Sequence, residues 1–182
     1  PEIAPRTFID RIHYRTHAEP GSLAVSGNSN PAAYGGWEYV AHGVKSGKWY
    51  RLVAHYRQQG AANERNQVVA RLDWKRANGK RAGRPDYAWR SERQGEWTRL
   101  TLDAPAPQDA DAVGIQLWLA NAPSATLWWD DVTLDEIPAP AARPVSVFSI
   151  NFRPKGSHSA AENVEKFAET IDRVVQGKAD VI

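Results

Sequence analysis

Two alternating stretches set polar and aromatic side chains where a ligand can meet them. In Gln67 to Trp74 the apolar set is Val68, Ala70, Leu72 and Trp74, which leaves Arg71 and Asp73 on the opposite side. In Ala112 to Leu119 the set Val113, Ile115, Leu117 and Leu119 leaves Gly114, Gln116 and Trp118. Parity in Leu127 to Leu134 places Trp129 outward as well. Arg71, Asp73, Gln116, Trp118 and Trp129 are therefore the candidate ligand-binding set. An indole plane stacks on the C–H face of a sugar, while Arg, Asp and Gln take its hydroxyls as hydrogen-bond partners. The same composition suits packing at a domain interface, and the sequence leaves both readings open.

Asp130 shares parity with Val132 and Leu134, which puts its carboxylate on the buried side. A buried carboxylate requires hydrogen-bond donors or a cation, and a bend accepting backbone N–H groups satisfies it as well as a metal does. His42, His55 and His158 have no metal-ligand spacing and read as ordinary surface or half-buried residues. The basic run Lys75-Arg76, Lys80-Arg81 and Arg84 reads as a solvated hairpin. The chain has no cysteine, which excludes a disulfide, a zinc–thiolate site and a thiol nucleophile within these residues. With 23 basic against 21 acidic residues, no strong global field recruits nucleic acid or an anionic membrane. No apolar run is long enough to span a bilayer.

The elements that must position these residues are mostly strands. Period-two runs separated by turn signals cover Leu23–Ser26, Trp37–Val40, Trp49–Arg57, Gln67–Trp74, Trp97–Leu102, Ala112–Leu119 and Leu127–Leu134. Asn78-Gly79 is the sharpest turn signal. The expected fold class is mainly β, a jelly-roll-type sandwich over residues 1–137, followed by a Pro/Ala linker at 138–143. From Pro144 the period changes. Val145–Ile150 is almost continuously apolar, as a strand buried on both faces is. Ser159 and Glu162 form a capping box, and Val164, Phe167, Ala168, Ile171, Val174 and Val175 share one helical face. Gly177 ends that helix, and Ala179–Ile182 starts another strand. A strand–helix–strand unit needs further partners, so residues 144–182 are expected to be an incomplete α/β domain.

Phe152-Arg153-Pro154, Asn163 and Ala179-Asp180-Val181-Ile182 make 145–182 resemble the opening of the carbon–nitrogen hydrolase (nitrilase/amidase) family. The resemblance implies a parent that hydrolyses an amide or nitrile through a Glu, a Lys and a Cys lying beyond Ile182. It implies an inactive fragment whose partner is the rest of that catalytic domain. The first 137 residues resemble an accessory β-sandwich of the carbohydrate-binding, galactose-binding-like kind. The segments that carry this are Gly21-Ser22-Leu23, Gly36-Trp37, Gly47-Lys48-Trp49-Tyr50-Arg51, Leu72-Asp73-Trp74 and Trp128-Trp129-Asp130-Asp131-Val132, with Pro1-Glu2-Ile3 and Pro5 as a lead-in. This resemblance implies a carbohydrate ligand. It also implies a structural calcium held by Asp130, with Glu2 or Asp10. A non-catalytic carbohydrate-binding module is the alternative function.

Overall fold

The computed structural model describes residues 21–142 and 144–177, together with the backbone of Thr7–Phe8. It divides into two compact units, Pro1–Ala139 and Pro140–Ile182. The first contains β1 (Thr7–Phe8), β2 (Leu23–Ser26), β3 (Tyr34–His42), β4 (Trp49–Gln59), the single-turn α1 (Glu64–Gln67) and β5 (Val68–Lys75). It continues with β6 (Asp86–Tyr87), β7 (Arg90–Gln94), β8 (Trp97–Pro105), β9 (Ala112–Ala120) and β10 (Thr126–Ile137). These build two five-stranded sheets, ordered β1-β3-β9-β5-β6 and β2-β10-β4-β8-β7. Every pairing is antiparallel except the parallel β1–β3 contact.

The core follows the alternation of the sequence. Val68, Ala70, Leu72 and Trp74 of β5 join Val113, Ile115, Leu117 and Leu119 of β9 in one buried cluster. Tyr50, Leu52, Ala54 and Tyr56 of β4 enter it from the other sheet. Two five-stranded sheets closed face to face by such side chains are a β-sandwich. Strand β3 begins three residues before the expected Trp37 because it runs through the glycine pair. Gly36 has φ +154, and a Cβ there would lie 2.5 Å from the Leu117 carbonyl oxygen of neighbouring β9. Only glycine permits that approach.

One strand departs from simple parity. In β10 both Trp129 and Val132 are fully buried, because the ladder with β4 shifts between Asp130 and Thr133. Asp131 takes the extra position with φ 45, and the Asp130 carboxylate receives the Asp131 N–H at 2.7 Å. The β-bulge reverses the facing of everything before it. Trp129 is thus a core residue rather than an outward one. Asp130 is half-buried on the side opposite to Trp129, not on the inner side with Val132.

The second unit holds α2 (Ala160–Val175), capped as its sequence requires. The Ser159 hydroxyl accepts the Glu162 N–H at 3.2 Å, and the Glu162 carboxylate accepts the His158 N–H at 2.7 Å. Gln176 and Gly177 end the helix with φ 49 and 71, and Phe167 packs edge-on against Phe152. Val145–Ile150 does not form the expected strand. Apart from one bridge residue, Val147, it has no ladder, and Val145 and Val147 are exposed. A strand buried on both faces needs a sheet beside it, and no strand among the described residues pairs with this segment. The expected strand at 179–182 lies outside the described residues. No helix among the described residues is long and apolar enough to cross a membrane.

Candidate functional site

Four of the five candidates share the outer face of the β3-β9-β5 sheet. Glu38, Gln116, Arg71 and Tyr87 stand directly opposite one another across β3, β9, β5 and β6. Their side chains are joined in the same order. Gln116 Nε2 donates to Glu38 Oε2 at 2.8 Å, Arg71 Nε donates to Gln116 Oε1, and Arg71 Nη1 donates to the Tyr87 hydroxyl at 2.6 Å. The Arg71 guanidinium also lies 4.2 Å from the centre of the Trp118 ring, which meets Tyr34 edge to face at 5.1 Å. The sequence placed these residues on the correct side but did not foresee their burial. Arg71 is 7% exposed, Trp118 3% and Gln116 0%. Inside protein such a chain is stable only when each member is satisfied, and here the guanidinium is spread over an amide, phenols and an indole face.

Asp73, two residues along β5, is 1% exposed and receives hydrogen bonds from Lys75 and from Arg81 at 2.8 Å. Burial pushes its carboxyl up, but the two cationic donors together outweigh that and hold it below the usual carboxylate range. Lys75 and Arg81 of the basic hairpin therefore neutralise a buried carboxylate instead of standing free in solvent. Trp129 packs against Tyr56 in the core, with ring centres 5.7 Å apart. The calcium expectation does not fit Asp130, whose carboxylate serves the bulge backbone. No group of three or more His, Cys, Asp or Glu side chains able to hold a metal stands together among the described residues. Glu2 and Asp10 lie outside the described residues.

The face leads to a cleft of about 980 Å³ at the edge where β6 and β7 end their sheets. Tyr34, Tyr87 and Trp89 line one part of it, and Tyr56, Glu64 and Arg93 another. Local structure explains how the aromatic pair is held. Gly83 and Pro85 break the chain after the hairpin. Trp74 Nε1 then donates to Asp86 at 2.7 Å, and the Ala88 N–H donates to the Ala70 carbonyl at 2.9 Å. This pins the backbone on either side of Tyr87, whose hydroxyl Arg71 holds from beneath. Tyr87 remains 46% exposed and Trp89 74%, with the Arg90 guanidinium 5.1 Å from the centre of the Trp89 ring.

The polar wall is equally fixed. Glu64 accepts from the Tyr56 hydroxyl at 2.6 Å and from Gln58 Nε2 at 2.9 Å. Arg93 donates to the Gly95 carbonyl and to Thr98 Oγ1. Burial and the Glu64 hydrogen bond push Tyr56 up to about 12, and burial raises Tyr34 as well. Both phenols are therefore neutral donors and acceptors near neutral pH. Glu64 is engaged at both oxygens, so this arrangement suits holding a ligand better than transferring a proton. Trp89 and Tyr87 escaped the alternation argument because their segment has no apolar face to define. Their available signal was two aromatics at i and i+2 between turn residues.

No protein-family model matches the chain, and no curated protein matches it in sequence. Among solved structures it is similar to the enzymatically active domain of bacteriophage CBA120 tailspike protein 4, at TM-score 0.46 and 10% identity over 55% of this chain and 13% of that one. It is similar to the CBM22-1 xylan-binding domain from Paenibacillus barcinonensis Xyn10C, at TM-score 0.37 and 11% identity over 53% and 60% of the two chains. A third, described as CBM4 structure and function, gives TM-score 0.42 and 14% identity over 69% and 85%. The chain spans less than two thirds of the length of the first two. At these scores the likeness carries no argument about the ligand.

Proposed function

We propose that the sandwich binds carbohydrate in the cleft at the β6–β7 edge, without catalysing a reaction there. The observation that carries this reading is Trp89, a large aromatic 74% exposed beside Tyr87 in a cleft with fixed polar partners. An indole left in water is costly unless something covers it, and a sugar ring covers it with C–H groups while its hydroxyls reach polar neighbours. Arg71 and Gln116 act indirectly here, by holding the Tyr87 hydroxyl, while Trp118 backs the Tyr34 wall. The test is glycan-array and affinity-electrophoresis binding by the whole chain beside Trp89→Ala. Retention of a glycan by the parent and its loss in a variant with an unchanged unfolding transition supports the reading. Unchanged binding in Trp89→Ala refutes it.

A second reading concerns residues 144–182, as the opening of a carbon–nitrogen hydrolase domain. Its support is the quoted sequence resemblance together with apolar side chains left in solvent, Val147 at 66% and Val164 at 67% exposed. Such residues suit a sheet and helix layer packed against them. Sequencing beyond Ile182 in the parent gene tests it: a Glu, a Lys and a Cys in that order support the reading, and their absence removes it.

A further inference from the structure

The charges lining the cleft are unequal. Glu64 is the carboxylate among its lining residues, and Tyr56 and Gln58 occupy both its oxygens. Arg65 and Arg93 line the same space, and neither is paired with a carboxylate among the described residues. The one acidic residue of β7, Glu92, alternates to the opposite side of the strand, where it stands across from Arg99. Arg93 Nε and Nη1 are bound to Gly95 and Thr98, which orients the guanidinium plane and leaves Nη2 for a ligand. The raised phenols of Tyr34 and Tyr56 add no negative charge to offset the two cations. Arg90, stacked on Trp89, adds a third cation next to the aromatic platform.

We infer that the cleft's glycan is acidic, a uronic-acid-containing oligosaccharide whose carboxylate meets the held guanidinium of Arg93 while a neighbouring ring stacks on Trp89. This rests on the carbohydrate reading and narrows it. A charged N–H of Arg93 Nη2 hydrogen-bonds a carboxylate more strongly than it does a neutral hydroxyl. A wholly neutral sugar makes no charge-assisted hydrogen bond to either arginine. Arg65 contributes charge from α1 and raises the local concentration of anionic ligand.

The experiment titrates the whole chain by calorimetry with matched pairs: oligogalacturonate, oligoglucuronate and oligomannuronate, each beside its carboxyl-reduced neutral counterpart. An acidic member should bind roughly tenfold or more tightly than its neutral partner, with the gap narrowing as salt rises. Arg93→Gln should remove most of that gap, while Arg76→Gln, whose side chain pairs with Asp109 away from the cleft, should keep it. Equal binding of acidic and neutral partners, each lost in Trp89→Ala, overturns the acidic inference and leaves carbohydrate binding standing. A stronger preference for a sulfated glycan such as dextran sulfate over every uronate overturns it too. Failure of every acidic and neutral glycan to bind removes both readings.

Discussion

Arg71 places a full charge under the cleft and uses it to set the angle of an exposed ring. Its fork reaches inward to Gln116 and outward to Tyr87, so the buried row and the cleft share one side chain. Tyr87→Phe keeps the ring and deletes the hydroxyl. We expect a several-fold loss of glycan affinity and a destabilisation of about 1–3 kcal/mol, the cost of leaving a buried donor unmet. Calorimetric binding and denaturant titration of the same protein check the two effects separately. Asp73 supplies a pH signature. Its folded carboxyl titrates below its ordinary value of 3.8, so between the depressed and the ordinary value the unfolded chain binds the additional proton. The stability it contributes is present above the ordinary value and is lost as pH falls through the depressed one. Asp103, held low by its paired hydrogen bonds with Arg51 at 2.6 and 2.7 Å, acts in the same sense. The stability gap between the parent and Asp73→Asn should therefore be widest near neutrality and shrink on acidification, as denaturation midpoints from about pH 6 to about pH 2 will show.

Strand register is where sequence reasoning succeeded and failed for identifiable reasons. In β5 and β9 each apolar residue has the same parity, and the buried cluster follows it. We expect Ile115→Ala and Leu117→Ala to cost about 2–5 kcal/mol each. Periodicity gives the side on which a residue lies, not whether that side is covered. Gln116 looked like a surface position by parity alone, yet it links Arg71 to Glu38 at 0% exposure. Gln116→Ala should thus cost about 1–3 kcal/mol, well beyond the change at a solvated position, and equilibrium unfolding distinguishes the two cases. The β10 bulge was illegible because no glycine marks it. Aspartate tolerates the left-handed conformation of Asp131 better than most residues, so Trp128-Trp129-Asp130-Asp131 reads as uninterrupted alternation. The bulge makes Trp129→Ala the severe substitution, at about 3–5 kcal/mol, and Trp128→Ala the mild one. The reverse order in unfolding measurements would mean an unbulged strand.

At the scale of the molecule, the sandwich reduces to two sheets whose edge strands, β6 and β7, are short and leave an opening lined by aromatic and cationic groups. The expected sandwich was legible because its alternating runs are long. The cleft was not, since strands β3, β4, β5 and β8 supply only its floor, while its rim comes from α1, β6, β7 and the link carrying Trp89, none of which has an amphipathic period. Indole resonances offer a direct view, because the chain's eight tryptophans occupy distinct environments. Trp74 and Trp129 are fully buried, Trp118 nearly so, and Trp97 and Trp128 flank Arg57 on the outer face of the other sheet. The decisive measurement is a titration of the isotope-labelled whole chain with its array-selected glycan, following the indole N–H signals assigned by single Trp→Phe variants. The Trp89 signal is expected to move first and furthest, with Trp74 and Trp129 unmoved. Movement confined to Trp97 and Trp128, with Trp89 unchanged, would contradict it.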